Sequence, residues 1–167
     1  MSVLIGQQFV CVKIAGRANF TFGPDFKTLL TELSQKGYAR FIIDLSECVL
    51  MDSTFLGVLA EFGLKIKAAS TSKAAGIELY NPNERVKDLL ENLGALHLFR
   101  VTGGALIMPG DVKVCAAASI NPTHEQITRT SLEAHQTLMA VNPDNVARFK
   151  DVAQFLAEDL KNLEKSS

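Results

Sequence analysis

A short apolar run that leads into an amphipathic helix constrains the fold of this chain more than any other feature. Residues 41–45 (FIIDL) are apolar except for Asp44, which is typical of a strand that is buried on both faces. The apolar residues that come after Ser53 recur at helical spacing: Phe55, Leu59, Phe62 and Ile66. A buried strand followed by a helix with one apolar face predicts that the helix packs on the sheet.

Strands and helices alternate along residues 1–104, which we expect to form one domain. Runs rich in β-branched and aromatic residues predict strands at residues 3–5, 9–15, 41–45, 76–80 and 96–101. Helical spacing predicts helices at residues 26–33, 53–66 and 86–93. Gly16 is expected to end the second strand. The alternation predicts an α/β fold with a mostly parallel or mixed sheet of four to five strands and helices packed on it.

Residues 105–167 are predicted to be a linker followed by a C-terminal helical extension. The linker is apolar enough to pack on the domain or to add a strand. Apolar and small residues then form two stripes at helical spacing: Ile127, Ser131, Ala134, Leu138 and Val141, and Phe149, Val152, Leu156, Leu160 and Leu163. Two such helices joined by a short turn predict a helical hairpin. It must cover the domain, pair its own helices or form a homodimer.

The dipeptide Asn-Pro precedes three of the predicted helices, at residues 81–82, 121–122 and 142–143. Asparagine is a favourable N-cap residue, and proline suits the first position of a helix. We therefore expect each of these asparagines to cap a helix.

Composition limits the classes of function that this chain can have. The chain has 167 residues, 47% of them hydrophobic, and a formal net charge of −1. A chain without a basic field is not expected to bind nucleic acid, and no apolar stretch is long enough to predict membrane insertion. The odd number of separated cysteines (Cys11, Cys48 and Cys115) is typical of reduced thiols. We expect a soluble, cytoplasmic protein.

Ser53 is the most prominent candidate for chemistry. Ser53 or Asp52 can simply cap the predicted helix; alternatively, the exposed N–H groups and the dipole of the first turn can favour a phosphoryl group on Ser53. The sequence M-D-S-T-F lacks the G-x-S-x-G pattern, and no histidine lies near Ser53 in the chain. We expect no enzymatic activity, no catalytic residue, no cofactor and no metal site.

Cys48, in the predicted connector, is expected to be either an exposed redox-active thiol or an inert small apolar residue.

Residues 50–57 (LMDSTFLG) closely resemble the STAS domain of bacterial anti-sigma factor antagonists. Five residues match the family motif around a phosphorylatable serine: Asp52, Ser53, Thr54, Leu56 and Gly57. Residues 41–46, which include Asp44, match the buried strand of the family and its exit. The order of elements in roughly the first 100 residues also fits this family.

The resemblance implies a partner-switching mechanism. An unphosphorylated antagonist binds an anti-sigma factor that is also a serine kinase, the kinase phosphorylates the serine that matches Ser53, and a serine phosphatase resets the cycle. It also implies a partner-binding surface, to which we assign these residues: Asp44, Asp52, Thr54, Phe55, Leu56, Gly57, Arg17, Asn19 and Phe20.

Two positions depart from the family on this expected surface. Phe55 stands where the family has a glycine, and it can fill the core, enlarge the partner surface or hinder a kinase. Residues 16–22 (GRANFTF) are basic and aromatic where the family usually has an acidic element. The resemblance therefore also allows an alternative: a non-switching STAS scaffold, or an accessory subunit of a transporter, that acts through protein assembly.

Overall fold

The computed structural model describes residues 1–108 and 110–167, and it contains a mixed sheet with helices. The six strands are β1 (Ser2–Ile5), β2 (Val10–Ala18), β3 (Arg40–Met51), β4 (Gly76–Tyr80), β5 (Arg100–Thr102) and β6 (Lys113–Ala116). The five helices are α1 (Gly23–Gln35), α2 (Ser53–Ala69), α3 (Glu84–Asn92), α4 (His124–Val141) and α5 (Asn145–Lys165).

The strands lie in the order β5-β4-β3-β2-β1-β6. Strands β2 to β5 are parallel to one another, whereas β1 is antiparallel to both β2 and β6. The predicted α/β fold with a mixed sheet is therefore confirmed. The sheet has one strand more than the predicted maximum, because residues 113–116 of the linker pair with β1 and extend the sheet at that edge.

Strands β2 and β3 are longer than predicted, and this length brings the motif to the end of the sheet. Gly16 does not end β2; the strand passes through it with φ +77° and continues to Ala18. The pairing of β2 with β3 shifts register on both sides of this region, as a bulge does. Strand β3 continues to Met51, and only Asp52 separates it from the first helical residue, Ser53.

Two other predicted details are wrong. The three Asn-Pro dipeptides precede helices, but their asparagines are not the caps: Asn83, Thr123 and Asp144 occupy the N-cap positions of α3, α4 and α5. Asn81 and Asn121 instead have positive φ and turn the chain before the helix, a conformation that asparagine tolerates. The predicted strand at residues 96–101 is mainly a 3-10 turn, and only Arg100–Thr102 forms a strand.

The main core lies between the sheet and helices α1 and α2. Strand β3 contributes Phe41, Ile43 and Leu45 to this core, while Ile42 joins a smaller apolar cluster with Phe9 and Cys11. Alternate residues of a strand face opposite sides of the sheet, so both faces of β3 are covered. The prediction that this run is buried on both faces is therefore correct.

The C-terminal helices form the predicted hairpin, and α4 packs directly on α2. Ala134 and Leu138 of α4 belong to the main core, and Phe149 of α5 packs against it. Most of the second predicted stripe faces inward, but the side chain of Val152 is 42% exposed. Helix α2 is consequently buried on two sides, by the sheet and by α4.

Phe55, which replaces the family glycine, fills the core between α1 and α2. Its side chain is 1% exposed, and its ring stacks on Phe26 with a centroid separation of 4.4 Å. Of the three roles that the sequence left open for this residue, the structure favours core filling.

The burial of Phe55 predicts a large loss of stability when its ring is removed. Phe55→Ala should lower the free energy of unfolding by about 3–5 kcal/mol, measured by urea denaturation. Phe155→Ala is the matched control, because Phe155 is 71% exposed and its removal should change stability by less than about 0.5 kcal/mol. Equal effects of the two substitutions would contradict the core position of Phe55.

Candidate functional site

Asp52 organises the N-terminus of α2. Its Oδ1 accepts a hydrogen bond of 2.8 Å from the backbone N–H of Phe55, which makes Asp52 the N-cap. Its Oδ2 accepts a second bond of 2.7 Å from the backbone N–H of Phe20, in the turn after β2. One carboxylate therefore caps the helix and also holds the β2–α1 connection beside it.

Ser53, the first residue of α2, is hydrogen-bonded to a histidine of the C-terminal hairpin. Its Oγ lies 3.0 Å from Nε2 of His135, and Nδ1 of His135 lies 2.7 Å from the carbonyl oxygen of Ser131. A carbonyl oxygen only accepts hydrogen bonds, so Nδ1 must carry a proton. When the ring carries its single proton on Nδ1, Nε2 is the acceptor and the Ser53 hydroxyl donates to it.

The environment of His135 holds its ring in this position. The side chain is 5% exposed, and its ring packs edge-on against Phe149 of α5 at a centroid separation of 4.9 Å. The contact with Ser53 joins positions 82 residues apart in the chain. No histidine lies near Ser53 in the sequence, and no local motif can reveal a base at that separation.

Helix α4 lies close against helix α2 at Gly57. A Cβ atom placed on Gly57 would lie 2.5 Å from the carbonyl oxygen of Ala134 and 2.6 Å from its Cβ. Only glycine therefore fits at this position while α4 is in place. A similar close approach occurs on α1, where a Cβ on Gly23 would lie 3.3 Å from Thr130.

A lysine links the three helices around this contact. Lys27 of α1 forms ion pairs with Glu61 of α2, at 3.2 Å, and with Glu133 of α4. Burial acts to lower the pKa of Lys27, but the two carboxylates outweigh it and raise the pKa above its ordinary value. Lys27 therefore remains charged at neutral pH and holds α4 to the domain. Glu61 also pairs with Lys65, one turn further along α2.

The predicted partner-binding residues that follow Ser53 are buried in this conformation. Thr54, Phe55, Leu56 and Gly57 are all covered by the sheet or by neighbouring helices. Asp44 is also buried, and it accepts hydrogen bonds from the backbone N–H and hydroxyl of Ser46. Asp44 lies about 23 Å before Met51 along the extended strand β3, and Met51 is at the end of the strand near Ser53. The structure therefore does not bring Asp44 close to Ser53.

The other predicted contacts lie at the same end of the sheet as Ser53. Arg17 is exposed and pairs with Leu50 across the strands. Asn19 is half-buried and caps the 3-10 turn that contains Phe20. Four exposed apolar side chains, which we call the apolar rim, surround this end: Phe20, Phe22, Val49 and Leu50. Val49 and Leu50 are not among the predicted contacts, because both belong to a strand that was predicted to end at residue 45.

The remaining candidates do not form a reactive centre. Cys48 lies in β3 and is buried, not exposed in a connector, and burial raises the pKa of its thiol. Burial likewise raises the pKa of Cys11 to about 11. Within residues 1–108 and 110–167, no group of three or more His, Cys, Asp or Glu side chains is placed to hold a metal ion.

The mixed sheet with helices on it, and the Asp52-capped helix that begins with Ser53, fit the STAS class of α/β domains. The chain belongs to the STAS domain family, whose model matches residues 2–105. The helical hairpin lies outside the matched region.

Solved structures share this fold. The anti-sigma factor antagonist SpoIIAA, in its unphosphorylated form, aligns with 59% of this chain and 83% of its own, at 16% identity and a TM-score of 0.50. The protein TM1081, solved by NMR, aligns with 60% of this chain and 78% of its own, at 22% identity and a TM-score of 0.54. No curated protein sequence matches the chain.

In the part of the chain that the structure describes, no helix has the length and apolar character needed to cross a membrane.

The two hydrogen bonds of Asp52 predict that this residue stabilises the fold. Asp52→Ala should lower the free energy of unfolding by about 1–2 kcal/mol, because the helix loses its cap and the β2–α1 connection loses its anchor. Asp144→Ala is the matched control, since Asp144 is also an N-cap residue but its side chain makes no capping bond. Thermal unfolding of both variants tests this; a loss no larger for Asp52→Ala than for Asp144→Ala would contradict it.

Proposed function

We propose that this chain is a regulatory protein-binding module, an anti-sigma factor antagonist of the partner-switching kind that is controlled by reversible phosphorylation of Ser53. The observation that carries the proposal is the position of Ser53. It is the first residue of a capped helix, in a domain whose fold is shared with an anti-sigma factor antagonist. The module acts by binding proteins and has no catalytic activity of its own.

The electrostatics at Ser53 support a phosphorylation switch. A phosphoryl group adds a charge of about −1.5 to −2 at neutral pH. Unpaired N–H groups and the helix dipole favour this charge at the N-terminus of α2. An apolar partner surface packed over the same end must desolvate the charge, so phosphorylation weakens the complex without a change of fold.

The apolar rim supports a protein partner at this end of the domain. Exposed aromatic and aliphatic side chains beside a polar switch are typical of a protein-binding surface. Arg17, Asn19, Phe20 and Asp52 lie within or beside this surface. The expected partners are an anti-sigma factor that is also a serine kinase, and a serine phosphatase that removes the phosphate, in the cytoplasm.

The burial of residues 54–57 favours a second candidate function. If α4 never leaves α2, the motif helix is closed to partners, and the chain acts as a non-switching STAS scaffold or as an accessory subunit of a transporter. Assembly would then use other surfaces, such as the exposed Phe155 and Val152 of α5, through which two copies can form a homodimer. Light scattering tests this assembly: a monomeric wild-type chain would exclude the homodimer.

Phosphorylation of Ser53 can be tested directly. Incubation with the cognate kinase and ATP should add one phosphate, and fragment masses should place it on Ser53. Ser53→Asp should weaken binding to the kinase at least about tenfold, as expected when a charge is buried without a partner in an interface. Ser72→Asp is the matched control, because Ser72 is exposed beyond the C-terminus of α2.

Three results would contradict the proposed function. They are an unmodified Ser53 in the native protein under all growth conditions, phosphate on another residue, and equal binding of the kinase by wild-type protein and the Ser53→Asp variant. Ser53→Ala separates charge from the loss of the hydroxyl, and it should bind the kinase more tightly than Ser53→Asp does.

A further inference from the structure

We propose that the α4–α5 hairpin is a built-in occupant of the partner-binding face of this STAS domain, and that it must leave before another protein can bind α2. This inference rests on the proposed function for the identity of that face. It assigns a role to residues 124–165, which lie outside the part of the chain that matches the family.

The hairpin sits on the motif itself. His135 accepts the hydrogen bond of Ser53, and Ala134 fills the space above Gly57, so α4 touches both the switch residue and a motif residue one turn later. Any protein that packs against this side of α2 needs the space that α4 occupies. The closed conformation therefore competes with external partners for the same surface.

The contacts of the hairpin are typical of a removable cover. The buried side of α4 is largely polar or small, with Thr130, Ser131 and His135 beside Ala134 and Leu138. Water can solvate these polar groups when the helix leaves, so exposing them costs less than exposing an apolar face of the same size.

The connection before α4 gives the hairpin a pivot. Asp25 of α1 accepts hydrogen bonds of 2.8 Å from the hydroxyl of Ser119 and from the backbone N–H of Ile120, which anchors the chain up to that point. Asn121 then has positive φ, and Pro122 precedes α4. The hairpin can therefore swing away at residues 121–122 while β6 stays in the sheet.

The far end of the hairpin is held less favourably. Nδ2 of Asn145 donates to the carbonyl oxygens of Leu93 and Leu138, which ties the turn of the hairpin to the end of α3. Its Oδ1 is buried without a hydrogen-bond partner among the residues that the structure describes. Such an atom costs free energy only while the hairpin is closed, so it favours opening.

The contact with His135 couples the cover to the state of Ser53. A separation of 3.0 Å between Oγ and Nε2 holds one hydrogen bond and leaves no room for a phosphoryl group. The closed hairpin therefore protects Ser53 from a kinase, and a phosphorylated Ser53 keeps the hairpin from closing in the same way.

The closed state also indicates what kind of partner fits this face. The surface accepts a helix that carries a small residue opposite Gly57 and a hydrogen-bond acceptor opposite Ser53, as α4 does with Ala134 and His135. A partner with that pattern would replace the hairpin. Its apparent affinity would be reduced by the fraction of molecules in which the hairpin is open.

Two glycines of α2 provide a matched test in the full-length chain. Gly57→Ala places a methyl group against Ala134 and should force α4 away, although alanine is the better helix former. Gly63→Ala is the control, because a Cβ there would lie 3.5 Å from Phe99, an ordinary contact. Hydrogen exchange followed by mass spectrometry should show α4 and α5 exchanging roughly tenfold faster or more in Gly57→Ala alone, with β2 and β3 unchanged.

A second pair of variants tests the same contact from the hairpin side. Ala134→Gln should open the hairpin, whereas Ala140→Gln, on the exposed side of the same helix, should not. The proposal is wrong if exchange in β2 and β3 rises together with that in α4, because the hairpin is then part of one cooperative unit. It is also wrong if neither Gly57→Ala nor Ala134→Gln increases exchange in α4.

These measurements need neither kinase nor partner, so the two proposals fail separately. A hairpin that opens on a chain whose Ser53 is never phosphorylated would overturn the proposed function alone. A phosphorylated Ser53 on a chain whose hairpin opens only when the whole domain unfolds would overturn only the proposal that the hairpin is a removable cover.

Discussion

The burial of helix α2 on two sides is the interaction on which the rest of this structure depends. One face lies in the main core, where Phe55 stacks on Phe26 of α1, and the other, at Gly57, lies under α4. Residues 54–60 of α2 are all buried, because the sheet side and the α4 side of the helix are covered at the same time. The STAS domain supplies one cover, and the C-terminal hairpin supplies the other.

This arrangement gives Ser53 two different environments at once. Its backbone belongs to the first turn of a capped helix, where N–H groups favour an anion. Its hydroxyl is hydrogen-bonded to His135 of the hairpin, at a separation of 3.0 Å that leaves no room for a phosphoryl group. The helix end favours the modified state, and the hairpin favours the unmodified one. A residue placed between two such opposing preferences is well suited to a regulatory switch.

Most of the fold could be predicted from local sequence patterns. Helical spacing and short β-rich runs identified α1, α2, α3, the hairpin and the central strands, because each of these elements has a regular apolar face. The errors arose where tertiary pairing overrides local signals. Gly16 reads as a strand end, but β3 pairs with the residues on both sides of it. Residues 113–116 become a strand because β1 offers a free edge. Each Asn-Pro dipeptide marked a helix start but not its cap, which lies further on.

What the sequence alone determined is that α2 starts at Asp52 and Ser53, one of which caps it, and that the motif around them matches the family of the chain. These features depend on neighbours a few residues apart, so local pattern is enough to find them. Only the tertiary structure decided that His135 meets Ser53 and that Ala134 closes over Gly57. Both contacts join residues far apart in the chain, and their geometry depends on how a whole hairpin docks, which no spacing of residues encodes.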